Sequence, residues 1–380
     1  MRIAYISEKK IYLCEGGAVR ELPCKRVAHY IETVRTINKN KEWKYTGTGA
    51  RFTGAVRDFS DEEASDYSIN GLAWDGRGLV YSGVLGEMGN VYRMNPDKPD
   101  AAEEHIYNLM NTGIGRISFY GDRFAAEMNG HIALYDSNYG CSEITEGDSV
   151  ESAPSWSADG RELLCVSKGI AVSEKGMIFS PGAVLSIDLA ANTISEIFSS
   201  EKTDCALPRR DRDGNLWLIR QPYKSTVKKT PLWKDILLFP VRIIKAIGGF
   251  LNAFSVIFGG EPLRDGRKRS DVKSKQKSEK ELFFEGRLIE AEKNQRENAS
   301  KGEENPGIFP LSRELIKISP DGEETVVRRG VQDYLLLENG ELVISNGRSV
   351  IHIGKDGETV LAKAELAHSL CRIPEADYEN

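Results

Sequence analysis

Two interleaved sets of tight-turn dipeptides recur along this chain, and they constrain its fold more than any other feature. One set holds Asp75-Gly76, Gly121-Asp122, Asp159-Gly160, Asp213-Gly214 and Asn339-Gly340. Each sits between two apolar runs: GLAW and LVYSGVL flank the first, APSW and ELLCV the third. Asp-Gly and Asn-Gly supply the positive φ angles that short hairpins require. A second set lies further on in each unit, at Asn95–Lys98, Ser137–Gly140, Ala191-Asn192, Asp321-Gly322 and Asp356-Gly357. The repeating unit is therefore four short strands joined by hairpins, which is the blade of a β-propeller.

The number of blades follows from length. Residues 25–67 and 223–310 break the pattern; without them 249 of the 380 residues remain. Six units of about 41 residues account for these, inside the range of a propeller blade. Residues 2–7, 10–14 and 18–22 supply three strands without an innermost partner, and Leu366–Ile373 supplies one strand left over. Joining them in one blade closes the ring and removes exposed sheet edges. The expected fold is all-β, a six-bladed propeller closed by N- and C-terminal strands. Its closing blade takes residues 1–24 and 366–380, and the other blades take 68–222 and 311–365. A helix excursion precedes the second blade and a helical insert sits in the fifth. Seven blades is the rival, if residues 45–67 hide further strands.

One blade carries a family signature. Glu151-Ser-Ala-Pro-Ser-Trp-Ser-Ala-Asp-Gly-Arg161-Glu-Leu163 resembles the TolB-type propeller repeat, Pro-x-[Trp/Phe]-Ser-x-Asp-Gly-[Lys/Arg] followed by an apolar strand. Asn305-Pro306 and Ser319-Pro-Asp-Gly322 are weaker echoes. The resemblance implies a propeller fold and a scaffold for protein or ligand contacts, but no particular activity, because fold and function are weakly tied. TolB is a secreted, periplasmic partner of lipoproteins. The opening MRIAYISEKKIYLCE alternates like a strand and lacks the basic and apolar regions of a secretory signal, so a cytoplasmic location is expected here. In that compartment the six cysteines (Cys14, Cys24, Cys141, Cys165, Cys205, Cys371), without CxxC spacing, read as reduced thiols, mostly in strands.

The first excursion, residues 25–67, begins with a helix over 25–43, where Val27, Tyr30, Ile31, Val34 and Ile37 recur at helical spacing and would pack on the propeller rim. Thr46-Gly-Thr-Gly-Ala-Arg-Phe-Thr-Gly54 follows and reads as a loop; it lacks the Lys-Ser/Thr and the following helix of a phosphate cradle.

The second excursion, 223–310, is expected between the second strand of blade five (Asn215–Gln221) and the third (Glu314–Ser319). Across Pro231–Phe258 only Lys234, Asp235, Arg242 and Lys245 are charged. On a helical wheel they fall within a sector of roughly 100°, leaving the remainder apolar. The apolar face holds Trp233, Ile236, Leu237, Phe239, Ile243, Ile244 and Ile247, then Phe250, Leu251, Phe254, Ile257 and Phe258. A single crossing of a bilayer is excluded if the ring closes, because both ends of the insert must meet in one sheet. Ala246–Gly260 is also shorter than the ~20 apolar residues a span needs. An amphipathic hairpin lying in one leaflet fits instead. Residues 221–280 hold fourteen Lys/Arg against five Asp/Glu, so the rest of this net −6 chain carries an excess of fifteen negative charges. The basic cluster Arg264, Arg267, Lys268, Arg269, Lys273, Lys275 and Lys277 follows directly on the apolar stretch. Apolar insertion plus a polybasic patch is the pairing that anchors a protein to an anionic leaflet. Packing on the propeller's own flank and a partner-protein groove are the competing readings. Nucleic acid is not expected, since the basic run lacks interleaved aromatics and the body is acidic. Glu279–Asn294 reads as a short helix and Glu297–Pro306 as disordered by composition.

Propeller ligands usually sit at the central channel. The starts of the innermost strands offer Asn70, Arg116, Asp204, Asp333 and His368. Two carboxylates and one imidazole are a thin set for a metal-assisted hydrolase. His29, His105, His131 and His352 fall on the helix or outer strands, and no GxSxG motif is present. No catalytic residue, metal or cofactor is assigned. A composition of 40% apolar residues excludes a wholly disordered chain and a polytopic membrane protein, whereas the net charge of −6 excludes no partner. The expected function is a non-enzymatic scaffold or binding protein docked peripherally on the inner membrane face through residues 231–280. Its partners would be an anionic membrane surface or a protein, with room for a small-molecule ligand in the channel. One alternative is a propeller enzyme, such as a metal-dependent lactonase or sugar hydrolase, using the channel residues. The other is a complex subunit whose partner covers the insert.

Overall fold

A computed structural model describes residues 1–44, 66–136, 140–173, 176–223, 281–284 and 287–375. Six four-stranded antiparallel sheets form the blades. Blade one runs from its inner strand His368–Ile373 through Arg2–Ser7 and Lys10–Glu15 to Ala18–Leu22. Blade two holds Tyr67–Trp74, Leu79–Leu85, Met88–Met94 and Glu104–Met110. Blade three holds Ile114–Tyr120, Arg123–Met128, His131–Asp136 and Gly140–Glu143. Blade four holds Ser149–Trp156, Glu162–Ser173, Ala183–Asp188 and Thr193–Phe198, with Gly176–Phe179 paired onto its long second strand. Blade five holds Thr203–Arg210, Leu216–Pro222, Glu314–Ile318 and Glu324–Arg329; blade six holds Asp333–Leu336, Leu342–Ser345, Ser349–Gly354 and Gly357–Lys363. The first set of turns joins inner to second strands, and Gly76, Gly160, Gly214 and Gly340 adopt φ of 88°, 68°, 83° and 80° there.

The second strand of every blade is buried on both faces, and its period of two divides it between the two neighbours. In blade two, Leu79 and Tyr81 pack toward blade one while Val80 packs toward blade three. Blade three gives Phe124 and Ala126 to one side and Ala125 to the other. In blade four Leu163 and Cys165 face back and Leu164 and Val166 face forward. Leu218 and Ile219 divide likewise in blade five, Ile344 and Val343 in blade six, and Ile3 and Ala4 in blade one. One apolar cluster therefore fills each of the six blade–blade interfaces. The core is a ring of six wedges, with no single centre.

Inner strands share a distortion. In five of the six, the ladder to the second strand slips by a bulge, at Ile69/Gly71, Ile114/Ile117, Ser152/Ser155, Ala206/Arg209 and opposite Ala4/Ile6. Ala153, Leu207 and Ser369 take positive φ of 54° at three of these bulges. A bulge bends a strand and re-aims its side chains, and here it does so around the axis.

The N-terminal helix is present as Lys25–Glu42, with Val27 buried against blades one and two. The Glu103 carboxylate accepts the backbone N–H groups of Lys25 and Arg26 at 2.8 and 2.9 Å, so two orphan donors of the first turn are satisfied from another blade. The Gly-rich loop 46–54 lies outside the described residues, as does nearly all of 45–67. All six cysteines are free thiols.

Two expectations for the insert are corrected. Residues 279–294 do not form one helix. Glu281–Phe284 pairs antiparallel with Arg287–Glu290, placing Leu282 opposite Ile289 and Phe283 opposite Leu288, and the helix begins only at Ala291. Short apolar runs suit either element, and pairing with each other decided it. Residues 297–306 are not disordered. Ala291–Ser300 is a helix, and its Asn298, 2% exposed, donates to the carbonyls of Gly307 and Phe309, both at 2.8 Å. Ile308 and Phe309 are buried with Ala291 and against Leu366. Glu303 holds Arg328 through two bonds of 3.0 and 2.7 Å. Composition registers such amides and charges as polar; it does not register that they are spent on backbone carbonyls and an ion pair.

Candidate functional site at the central channel

The five inner-strand residues singled out from sequence reach different fates. Asp333 is fully buried at the start of blade six. Its Oδ2 accepts Arg116 Nη2 of blade three at 2.9 Å and the backbone N–H of Ser369, in blade one, at 2.6 Å. Burial pushes the Asp333 carboxyl up, but the charges of Arg116 and Arg209 and these hydrogen bonds outweigh it and hold the group below the usual carboxylate range. His368 is driven down to about 4, first by desolvation and then by Arg116, with Asp333 opposing, so its imidazole is neutral at pH 7. Asn70 donates to the Ile114 carbonyl at 2.6 Å, which ties blade two to blade three. Asp204 does not join this group; it accepts Lys168 Nζ at 3.0 Å and the Gly182 N–H at 2.9 Å, both from blade four.

Glu151, beside Asp204 in the ring, is 2% exposed and accepts His131 Nδ1 at 2.9 Å and the hydroxyls of Ser149 and Ser167 at 2.5 and 2.9 Å. These buried carboxylates all lie where inner strands begin, and each bridges strands or blades. Among the described residues no three His, Cys, Asp or Glu side chains converge as a metal site would require.

The cavity lies further along. It measures about 260 Å³ and is lined by inner-strand residues of all six blades, mostly from their second halves. Of the five candidates only Arg116 lines it. Residues that sequence reasoning missed do the rest: Trp74, Ser118 and Phe119, Ser155, Arg209 and Arg372. The Asp-Gly turns date the end of each inner strand, so this far mouth could have been located from sequence; which side chains turn inward could not, because the bulges set that. The expected insert contacts (Trp233 to Phe258) and polybasic residues (Arg264 to Lys277) lie outside the described residues. Among the described residues no helix is long and apolar enough to cross a membrane.

No known protein-family profile matches the sequence, and no curated protein does either. Solved structures resemble it at low identity and with TM-scores below 0.5. TolB from Acinetobacter baumannii is similar over 97% of this chain and 66% of its own, at 12% identity and a TM-score of 0.48. The tricorn protease is similar over 96% and 33%, at 12% identity and a TM-score of 0.42. A gluconolactonase from Xanthomonas campestris is similar over 78% and 75%, at 11% identity and a TM-score of 0.39. The chain thus spans just under two thirds of that TolB and a third of the tricorn protease. With six blades in ring order, this chain is a six-bladed β-propeller, and the Pro154-x-Trp156-Ser157-x-Asp159-Gly160-Arg161 repeat of its fourth blade resembles the TolB type.

Proposed function

We propose that the protein is a non-enzymatic propeller scaffold that docks peripherally on the cytoplasmic face of a membrane through residues 231–280 and holds its rings out to a protein partner. The observation that carries this reading is where the insert is rooted. Pro222 pairs with Thr203 and Glu314 with Arg220, so the chain leaves and re-enters blade five at the end where the inner strands begin. An out-and-back segment of apolar and then basic residues at one end of a rigid ring suits a surface contact. The buried carboxylates at that end support a scaffold over a hydrolase, because Asp333, Asp204 and Glu151 are each committed to a cation or an N–H within the ring.

Flotation with liposomes tests the reading. The comparison is between the full chain and a version with 225–280 replaced by a short Gly-Ser linker, keeping 281–310 because its helix and Ile308-Phe309 are packed on the propeller. The full chain is expected to float with phosphatidylserine vesicles and not with neutral ones, and the shortened chain to stay in the soluble fraction. Each basic residue near the surface contributes about 1 kcal/mol, so binding should fall steeply with salt. Equal recovery of both proteins in the soluble fraction would remove the membrane from the proposal. Retention of a protein partner that depends on Phe250 and Phe254 without lipid would assign the insert to that partner instead.

A further inference from the structure

We propose that the central cavity is a binding site for a small oxyanion, a carboxylate or phosphate group on a compact molecule, with Arg209 as its direct charge partner.

The charge of the lining points this way. Three arginines, Arg116, Arg209 and Arg372, line the cavity, and among the described residues no aspartate or glutamate does. The three are not equivalent. Arg116 is committed to the buried Asp333 at 2.9 Å, and Arg372 leans on exposed Glu338 at 3.7 Å. Arg209 is half-buried with its guanidinium 5.4 Å from the centre of the buried Tyr334 ring, and among the described residues no carboxylate pairs with it. Arg209 lines the cavity, and its charge favours the ionised form of Asp333 in blade six and opposes the burial that pushes the Cys371 thiol up in blade one. A partly desolvated guanidinium with no carboxylate in direct contact keeps its donors free, and that planar donor fork is matched by an oxyanion.

The surroundings complete a site. Ser118 Oγ accepts the Trp156 N–H at 3.2 Å, leaving its own proton to donate into the cavity it lines. Trp74, Phe119 and Leu335 form apolar wall, so the ligand would carry a short apolar body behind its anionic group. A volume of about 260 Å³ limits it to a metabolite-sized molecule. Every blade contributes, so the pocket exists only in the closed ring. The site lies toward the opposite end of the channel from the roots of the insert, and it stands or falls independently of membrane docking.

Calorimetric titration of the full chain with succinate, inorganic phosphate and neutral succinamide tests the proposal. Both anions are expected to bind more tightly than succinamide, with affinity falling as salt rises; the tighter of the two identifies the ligand as a carboxylate or a phosphate. Arg209→Gln should weaken binding about tenfold or more, Arg209→Lys should retain part of it, and Arg161→Gln on the exposed Asp-Gly turn should leave it unchanged. The proposal is overturned if succinamide matches the anions, if neither anion gives heat at about 10 mM, or if Arg209→Gln, shown folded by its unfolding midpoint, binds like the parent. Should Arg209→Gln fail to fold, an Arg209→Lys chain with unaltered affinity for both anions and no preference between them would overturn it equally.

Discussion

The two ends of the channel treat charge in opposite ways. Where the inner strands begin, Asp333, Asp204 and Glu151 are buried, and each is met by a cation, an imidazole or a backbone N–H from another strand. Where they finish, Arg209 lies over Tyr334 with no carboxylate partner among the described residues. The same side-chain chemistry therefore serves as a rivet at one end and stays available at the other. Removing one partner of a buried pair strands the other, whereas removing a cation that has no partner strands nothing. The two ends should respond to substitution very differently.

The largest effect is expected at the riveted end. Asp333→Ala, which frees Arg116 and the Ser369 N–H together, should cost about 3–5 kcal/mol in urea unfolding. Arg116→Gln should approach that loss, since it leaves the Asp333 carboxylate buried without its cation. If both variants unfold within error of the parent, the contrast between the ends is broken. A smaller loss, about 2 kcal/mol, is expected for Asn298→Ala, because two carbonyls lose their donor. Faster hydrogen exchange confined to 301–310 would show that the return arm of the insert, and not the ring, has loosened.

Two histidines sharpen the comparison by pH. The unfolded chain protonates His368 near 6.5, while the folded protein resists until about 4. Between these values the unfolded state binds more protons, so stability is full above about 6.5 and declines as pH falls toward 4. The slope is at most about 1.4 kcal/mol per pH unit, and His368→Gln should flatten it. His131 is shifted the other way, upward, chiefly by its hydrogen bond to Glu151. Its contribution is full below the unfolded value and is lost as pH rises through the folded one, and His131→Gln should abolish that part. The smallest effect belongs to the far end: Arg209→Gln should change stability by no more than about 0.5 kcal/mol, even as it weakens anion binding. A loss of several kcal/mol there would make Arg209 another rivet.

Much of this architecture is legible without coordinates. Asp75-Gly76 or Asn339-Gly340 announces a hairpin because few residues accept the backbone angles it needs, and runs such as LVYSGVL announce a strand buried on both faces. The 281–290 hairpin was not legible, since Leu282-Phe283 and Leu288-Ile289 satisfy helix and strand periods alike until a pairing partner is known. The anchoring of Asn294, Asn298 and Glu303 is not legible for the same kind of reason: their partners are known only once the segment folds back. Arg116 and Asp333 could be placed on inner strands but not joined to each other, being 217 residues apart in the chain. Arg209 carries no sequence signal, because having no carboxylate in contact is a property of the assembled ring. The bulge that turns its strand inward leaves no mark in composition.

Blade one has a temporal consequence. Arg2–Ser7 is buried at every position in the finished sheet, yet one of its two neighbours is His368–Ile373 from the other end of the chain. At the usual pace of translation, about 5–20 residues per second, that neighbour leaves the ribosome on the order of twenty seconds to a minute later. Throughout that wait an apolar strand presents a bare row of amides and carbonyls to whatever other nascent chains are near. Yield in the cell should accordingly be set by how well this one edge is shielded during synthesis, more than by how firmly the completed ring holds.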